Sequence, residues 1–157
     1  MQSSSVYTVK SLLGWRLLLG LLSVVVACGD RVSSWTPEDK ENIGHFFASQ
    51  KADLAAVRLS NSGASFSMMS EAERDEIVRL KRLALSEAKL LKDELLAKAN
   101  GNLPQQFRAL YQQSLELQLR NLEVGDIDAE LKGSALHDQW VEWFNGRAKR
   151  SFGGTLG

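Results

Sequence analysis

Apolar residues recur every three or four positions along four segments of the chain, the spacing that lines up side chains on one face of an α-helix. The first segment follows Thr36, which is suited to cap a helix, and Pro37, which fits the first turn. Its apolar stripe consists of Ile43, Phe47, Leu54 and Val57. We expect this helix to end near Leu59, because Asn61-Ser62-Gly63 is a typical breaker and a loop rich in serine and methionine follows.

The second segment is the longest uninterrupted helical pattern in the chain. Ser70 and Glu73 have the spacing of a capping box, in which each side chain binds the backbone N–H of the other residue. The apolar stripe that follows consists of Ile77, Leu80, Ala84, Ala88, Leu91 and Leu95. Asn100-Gly101 supplies a stop signal, so we predict one helix that runs from Ser70 to Ala99.

A third helix is predicted to begin at residues 102–104 and to end at Gly125, since glycine suits the left-handed position that terminates many helices. Its stripe consists of Phe107, Leu110, Tyr111, Leu115, Leu119 and Leu122. Residues 126–132 then predict a short helical turn that Gly133 closes. Ser134 is expected to cap a last helix, whose apolar side holds Leu136, Trp140, Trp143 and Phe144.

These patterns favour an all-α fold. The sequence has no strand-like alternation of useful length and no internal repeat. Four helices that each carry one apolar stripe and are joined by short loops predict a small bundle of about four mostly antiparallel helices. We place this domain at residues 36–150 and expect residues 151–157 to form a flexible tail.

The first 27 residues have the organisation of a secretory signal peptide. Lys10 and Arg16 give a positive start, an apolar run of 11 residues extends from Leu17 to Ala27, and Cys28 follows directly. A spanning helix needs roughly 20 residues, and extending the run upstream would bury Arg16. We therefore predict cleavage between Ala27 and Cys28. The alternative is an uncleaved inner-membrane anchor in which Cys28 is a free thiol.

The residues Val25-Val26-Ala27-Cys28 resemble the lipobox of bacterial lipoproteins. The resemblance covers residues 11–29 and implies that Cys28 begins the mature protein, with a diacylglyceryl group on its sulfur and an acyl chain, such as palmitate, on its amine. Several acyl chains hold a protein on a bilayer almost permanently. Residues 28–35 would then form a lipidated tether. Gly29, in place of the aspartate associated with inner-membrane retention, implies the periplasmic face of the outer membrane.

Composition and charge limit what the mature chain can do. Removal of 27 residues from 157 leaves 130, enough for one domain with its own core. Cys28 is the only cysteine, so we expect no disulfide. Because Lys10 and Arg16 leave with the signal, 17 of the 19 basic side chains remain against 19 acidic ones. The resulting net charge near −2 argues against nucleic acid as a partner, since phosphate binding needs a basic surplus.

Sequence motifs for catalysis and metal binding are missing. His45 and His137 are the only histidines, too few for a zinc site of three or four ligands, and we expect both to be structural. Residues 126–130 resemble the start of a calcium loop, but Leu131 and His137 occupy the positions that need a glycine and an acid. No Gly-x-Ser-x-Gly turn or glycine-rich phosphate loop occurs. We therefore expect neither enzymatic activity nor a metal, and no cofactor beyond the lipid on Cys28.

The last predicted helix holds the candidate partner-binding residues. Trp140, Trp143 and Phe144 lie close together there, and Arg147 follows them. Tryptophan and arginine are enriched at the energetic centres of protein interfaces. The alternative, which the helical spacing favours, is that the three aromatic side chains fill the core of the bundle.

The predicted function is that of a non-enzymatic adaptor, a membrane-anchored helical domain that binds a protein partner in the bacterial cell envelope. In outline the chain resembles the small helical lipoproteins that pilot secretion pores to the outer membrane, which hold a partner's amphipathic helix in a groove. Two alternatives stay open. One is a surface-exclusion or immunity lipoprotein of a mobile element, and the other is a carrier whose bundle opens around a small hydrophobic ligand.

Overall fold

A computed structural model of the chain describes residues 35–61 and 69–148. Five helices make up almost all of these residues, and no strand occurs among them. The first three are α1 (Pro37–Ser60), α2 (Glu71–Leu90) and α3 (Asp93–Ala99). Helix α4 consists of a short turn (Leu103–Gln106), a π-helical segment (Phe107–Gln112) and an α-helical segment (Gln113–Val124). Helix α5 consists of Ile127–Trp143 and a final π-helical turn, Phe144–Ala148.

The four long helices pack as an antiparallel bundle, because paired contacts along each interface run in opposite directions on the two helices. These contacts are Ser49–Ala84 with Asp53–Lys81 between α1 and α2, Tyr111–Trp140 with Asn121–Glu130 between α4 and α5, and Phe46–Phe144 with Asp53–His137 between α1 and α5. The start of α1 and the end of α5 therefore share one end of the bundle. The end of α1 and the start of α5 share the other. The predicted all-α bundle of mostly antiparallel helices is confirmed.

Local capping signals determine several helix ends, as the sequence predicts. Thr36 and Asp39 form a capping box at the start of α1, where each side chain binds the backbone N–H of the other residue. Ser70 and Glu73 do the same at the start of α2. Gly125 ends α4 with a φ of +72°, in the left-handed region that favours glycine.

The prediction of one helix from Ser70 to Ala99 is wrong. Helix α2 ends at Leu90 and α3 begins at Asp93, and we call the two residues between them the bend. Leu91 and Lys92 between them adopt extended conformations, with φ/ψ values of −66°/135° and −96°/124°. An extended pair of residues interrupts the helical hydrogen bonds, so the apolar stripe continues on two separate helices.

Side chains from two other helices stabilise this break. Asn42 of α1 binds both backbone groups of Lys92: its Oδ1 accepts from the N–H at 2.7 Å, and its Nδ2 donates to the carbonyl oxygen at 3.4 Å. Arg108 of α4 donates to the carbonyl oxygens of Ala88 and Leu91 at the end of α2. These groups need partners because a helix end leaves its last carbonyl oxygens unsatisfied.

Helix α5 also differs from the prediction of a short turn at residues 126–132 and a separate helix capped by Ser134. Asp126 caps one continuous helix, since its side chain accepts a backbone N–H of the first turn at 3.0 Å. Gly133 lies inside that helix and is buried against α4. A Cβ at Gly133 would lie only 3.0 Å from Gln118 Cγ. The glycine thus permits a close approach of two helices and does not end one.

The interior contains two adjoining groups of buried apolar side chains. The larger core consists of Phe46, Ala52, Ala84, Leu85, Ala88, Leu91, Leu96, Leu103, Phe107, Tyr111, Leu115, Trp140, Val141 and Phe144. The smaller core consists of Ala56, Met69 and Ile77, towards the end of α1. The aromatic residues therefore lie nearer to the start of α1, and the other end of the bundle is held by smaller side chains.

Candidate interaction surfaces and a buried polar cluster

Charged side chains lie inside the bundle, where α1, α2, α4 and α5 meet. Lys81 of α2 donates to Asp53 Oδ1 on α1 and to Gln118 Oε1 on α4, each at 2.6 Å. Nε2 of His137 on α5 lies 3.2 Å from Asp53 Oδ2. The side chains of Asp53, Lys81 and His137 are 4%, 7% and 13% exposed. We refer to Asp53, Lys81, Gln118 and His137 as the buried polar cluster.

Two hydroxyl groups adjoin the buried polar cluster. Ser49 Oγ donates to the carbonyl oxygen of Ala84 at 2.7 Å and lies 3.2 Å from Tyr111 Oη. Both residues are fully buried. The hydroxyl of Ser49 thus connects α1 to α2 and α4. Buried polar groups, as well as the apolar core, hold these helices together.

Burial and neighbouring charges have opposite effects on the pKa of Asp53. Burial raises this pKa, whereas Lys81 and His137 lower it, and the net result lies well below the ordinary range for aspartate. Burial and the Asp53 carboxylate together raise the pKa of Tyr111. At neutral pH Asp53 is therefore ionised and Tyr111 is protonated. Asp53 and Lys81 are almost fully buried, so their opposite charges are paired within the bundle.

Trp140 and Phe144, two of the candidate partner-binding residues, are buried. These side chains are only 1% and 5% exposed and lie in the larger core, so the alternative that they fill the core is confirmed for both. Trp143 is half-buried, and its ring stacks on Trp140 with 5.6 Å between the centroids. Arg147 belongs to the last turn of α5, but its side chain lies outside the described residues.

The predicted lipidation and cleavage site, Ala27 and Cys28, lies outside the described residues. The same holds for the rest of the predicted signal peptide, for residues 28–34 of the tether and for the tail at 151–157. Among the helices that are described, none combines the length and apolar character needed to cross a membrane.

His45 and Asp126, which were considered as metal ligands, make contacts within the bundle. His45 Nδ1 lies 2.7 Å from Glu87 Oε2, in a contact between α1 and α2. Asp126 caps α5, which confirms that residues 126–130 form a helix start. Across residues 35–61 and 69–148, no group of three or more His, Cys, Asp or Glu side chains is arranged to hold a metal ion.

Three large apolar side chains near the junction of α4 and α5 are exposed, and we call them the distal patch. Val124 ends α4, while Ile127 and Leu131 lie one helical turn apart on α5. Their exposed fractions are 72%, 71% and 67%. The patch is absent from the sequence predictions. Its signal in the sequence is the four-residue spacing of Ile127 and Leu131, which places both on one face of a helix. The expectation of a separate short turn at 126–132 obscures that signal.

An open groove of about 200 Å³ lies at the other end of the bundle, beside the bend between α2 and α3. The first turns of α1 and the bend line it with Glu38, Glu41, Asn42, His45, Leu90, Lys92 and Leu95. Leu90 is 55% exposed, although it is a large apolar residue. We call this the proximal groove. It was not predicted because it exists only where α2 ends, nine residues before the predicted end at Ala99.

Asp39, near the proximal groove, joins α1 to α3. Its Oδ1 accepts from Lys98 Nζ at 2.6 Å, and its Oδ2 accepts from the N–H and the hydroxyl of Thr36 at 2.9 and 2.8 Å. The hydrogen bond from Lys98, followed by those from Thr36, lowers the pKa of Asp39 to about 2. The ordinary value is about 3.9. The ionised carboxylate therefore stabilises the folded state.

This pKa predicts an acid-dependent loss of stability. Because the pKa of Asp39 is lower in the folded state, its contribution is complete above about pH 4 and is lost as the pH falls towards about 2. We expect Asp39→Asn to lower the Tm at pH 6 and the difference from the unmodified chain to shrink between pH 4 and pH 2. Thermal unfolding followed by circular dichroism checks this. A Tm difference that stays constant over that interval would contradict it.

Comparisons with other proteins add no relative. The chain matches no protein-family model, no curated protein sequence and no solved structure.

Proposed function

We propose that this chain is a lipid-anchored, non-enzymatic adaptor of the bacterial cell envelope that binds a protein partner through the distal patch. The observation that carries the proposal is the joint exposure of Val124, Ile127 and Leu131. Adjacent exposed apolar side chains mark interaction sites more often than isolated ones do. Trp140 and Phe144 cannot serve this role because they are buried.

The tether joins the bundle at the end opposite to the distal patch. Trp35, the last tether residue, lines a small recess with Leu95 and Lys98 of α3. Eight residue steps separate Cys28 from Thr36, and eight extended residues span at most about 26–29 Å. A lipid on Cys28 would hold this end close to the periplasmic face of the outer membrane. The distal patch would then face away from the bilayer, towards other envelope proteins.

The partner that suits the distal patch is an amphipathic helix. Ile127 and Leu131 form a short i, i+4 ridge on α5, which can pack against a similar ridge on another helix. Full burial of one aliphatic side chain contributes about 1.5–3 kcal/mol, and these three side chains are already partly covered. Since association itself costs several kcal/mol, the partner must also contact residues outside the patch.

The experiment that tests this role compares a double surface substitution with a single control substitution in the full chain, expressed in the cells that normally make it. Ile127→Ser with Leu131→Ser removes the ridge, and Leu83→Ser, on an exposed part of α2, is the matched control. We expect the unmodified chain and the control to migrate in a complex larger than the monomer on native gels. The patch variant should migrate as a monomer, because serine removes most of the apolar contact.

Cys28→Ala provides the second arm of the same experiment. We expect this variant to lose metabolic labelling with a palmitate analogue and to leave the membrane fraction or remain uncleaved, with the helical content unchanged. The Ile127→Ser, Leu131→Ser variant should retain the palmitate label and remain in the membrane fraction. A cleaved Cys28→Ala chain that stays in the membrane would refute the lipid anchor. A patch variant that keeps the large complex, or an unmodified chain that is monomeric, would refute the adaptor role.

A further inference from the structure

The proximal groove has an apolar floor and an acidic rim. Leu90 and Leu95 come from the two sides of the bend and expose aliphatic surface. Glu38 and Glu41 come from the first turns of α1, and His45, which also lines the groove, contacts a third carboxylate, that of Glu87. This combination suits a ligand that has both an aliphatic stem and a positive end.

A cation of this chain already lies on the rim of the groove. Lys92 Nζ contacts Glu38 Oε1 at 2.5 Å. The hydrogen bond and charge of Glu38, with smaller contributions from Glu94 and Glu41, raise the pKa of Lys92. Both side chains of the pair are more than half exposed, so the pair contributes little to stability and can be exchanged at little cost. The rim thus holds one ammonium group, which Lys92 supplies in a solvent-exposed pair.

We propose that the proximal groove binds a lysine or arginine side chain of a partner's amphipathic helix, whose cationic end replaces Lys92 on Glu38. The stem of that side chain lies on Leu90 and Leu95, as the aliphatic parts of long basic residues commonly do on apolar surfaces. The inference deepens the proposed adaptor role and rests on it. It also supplies a contact outside the distal patch, which the proposed role requires.

The charges near the groove favour a basic protein segment over other partners. Among the residues that line the groove, the carboxylates of Glu38 and Glu41 outnumber the ammonium group of Lys92. An anionic lipid headgroup or a nucleic acid would be repelled by this surplus. A helix with leucine and lysine on one face complements both the floor and the rim.

The test uses the full chain in nonionic detergent and a fluorescent synthetic helix with leucine and lysine at positions i, i+3, i+4 and i+7. We expect Glu38→Gln with Glu41→Gln to raise the Kd by about fivefold or more, since each exposed ion pair contributes roughly two- to fivefold. Lys92→Ala should lower the Kd because it removes the competing cation. Glu71→Gln, an exposed change at the start of α2, is the matched control and should leave the Kd unchanged.

Carbodiimide coupling then locates the peptide. We expect a covalent amide between a peptide lysine and Glu38 or Glu41, found by mass spectrometry, and no such link for a peptide with glutamate in place of lysine. Coupling of the peptide to other residues would overturn the inference. So would a Lys92→Ala variant whose Kd for the peptide is not lowered, or a Glu71→Gln variant whose Kd rises as much as that of the Glu38→Gln, Glu41→Gln variant. The distal-patch variant lacks the other proposed helix-binding site, so coupling of the peptide to Glu38 or Glu41 in that variant tests the groove alone. Loss of the native complex by the same variant tests the adaptor role, so the two failures give different results.

Discussion

Asp53→Ala is expected to lower the free energy of unfolding by about 3–5 kcal/mol. The substitution leaves Lys81, whose side chain is 7% exposed, inside the bundle without its carboxylate partner. It also removes the acceptor of His137. Urea unfolding of the purified chain, followed by circular dichroism, measures the loss. A loss below 1 kcal/mol would mean that Lys81 reaches solvent or another anion.

A double substitution separates the unpaired charge from the lost packing. Asp53→Leu with Lys81→Met replaces the ion pair by apolar side chains of similar volume, and such replacements are often neutral or stabilising by about 1–4 kcal/mol. We expect this variant to recover most of the stability that Asp53→Ala loses. If it is as unstable as Asp53→Ala, the pair is important through its hydrogen bonds to Gln118 and His137 and not through charge compensation.

Trp140→Ala is expected to lower the free energy of unfolding by about 3–5 kcal/mol, the usual cost of removing a large aromatic side chain from a core. Trp140 is 1% exposed and lies within 5.1–6.4 Å, between ring centroids, of Phe46, Phe107, Tyr111 and Phe144. Trp143→Ala is the matched control and should cost about half as much, because Trp143 is only half-buried. Thermal or urea unfolding of both variants makes the comparison.

The same pair of variants distinguishes a core from an interface. If Trp140 were a partner contact, Trp140→Ala would abolish the complex while changing the free energy of unfolding by less than about 1 kcal/mol. We expect the opposite result, a large loss of stability. The hypothesis that the aromatic residues at the end of α5 form an interface fails for Trp140 because antiparallel packing turns that side of the helix towards Phe46 and Phe107.

Features that depend on neighbours in the chain could be predicted. The capping boxes at Thr36 and Ser70 and the left-handed Gly125 involve residues at most three or four positions apart, so their sequence patterns are sufficient. The apolar stripes predict the buried side of each helix for a similar reason, since residues three or four apart share a helical face. The antiparallel order follows from short connections between helices that must cover those faces.

The bend after Leu90 could not be predicted because its determinants are distant in the sequence. Asn42 lies 50 residues before Lys92, and Arg108 lies 17 residues after Leu91. Without these contacts in view, the continuous stripe and the good helix-forming residues of this segment favour an unbroken helix. The proximal groove depends on the same bend and was therefore also missing from the predictions.

One position in the sequence indicates the buried polar cluster. Lys81 lies four residues after Ile77 and three before Ala84, within the apolar stripe of α2. A charged residue at such a position needs a buried partner. Which residue that partner is could not be inferred, because Asp53 and His137 come from helices whose relative rotation only packing determines.

The amino-acid sequence by itself determined the helical class, most helix ends, the near-neutral charge and the lipobox-like motif that ends at Cys28, since each depends on composition or on residues a few positions apart. Only the tertiary structure decided that Trp140 and Phe144 are covered, that Val124, Ile127 and Leu131 are exposed, and that Asp53 meets Lys81. The physical reason is that exposure and charge pairing depend on the faces that distant helices present to one another.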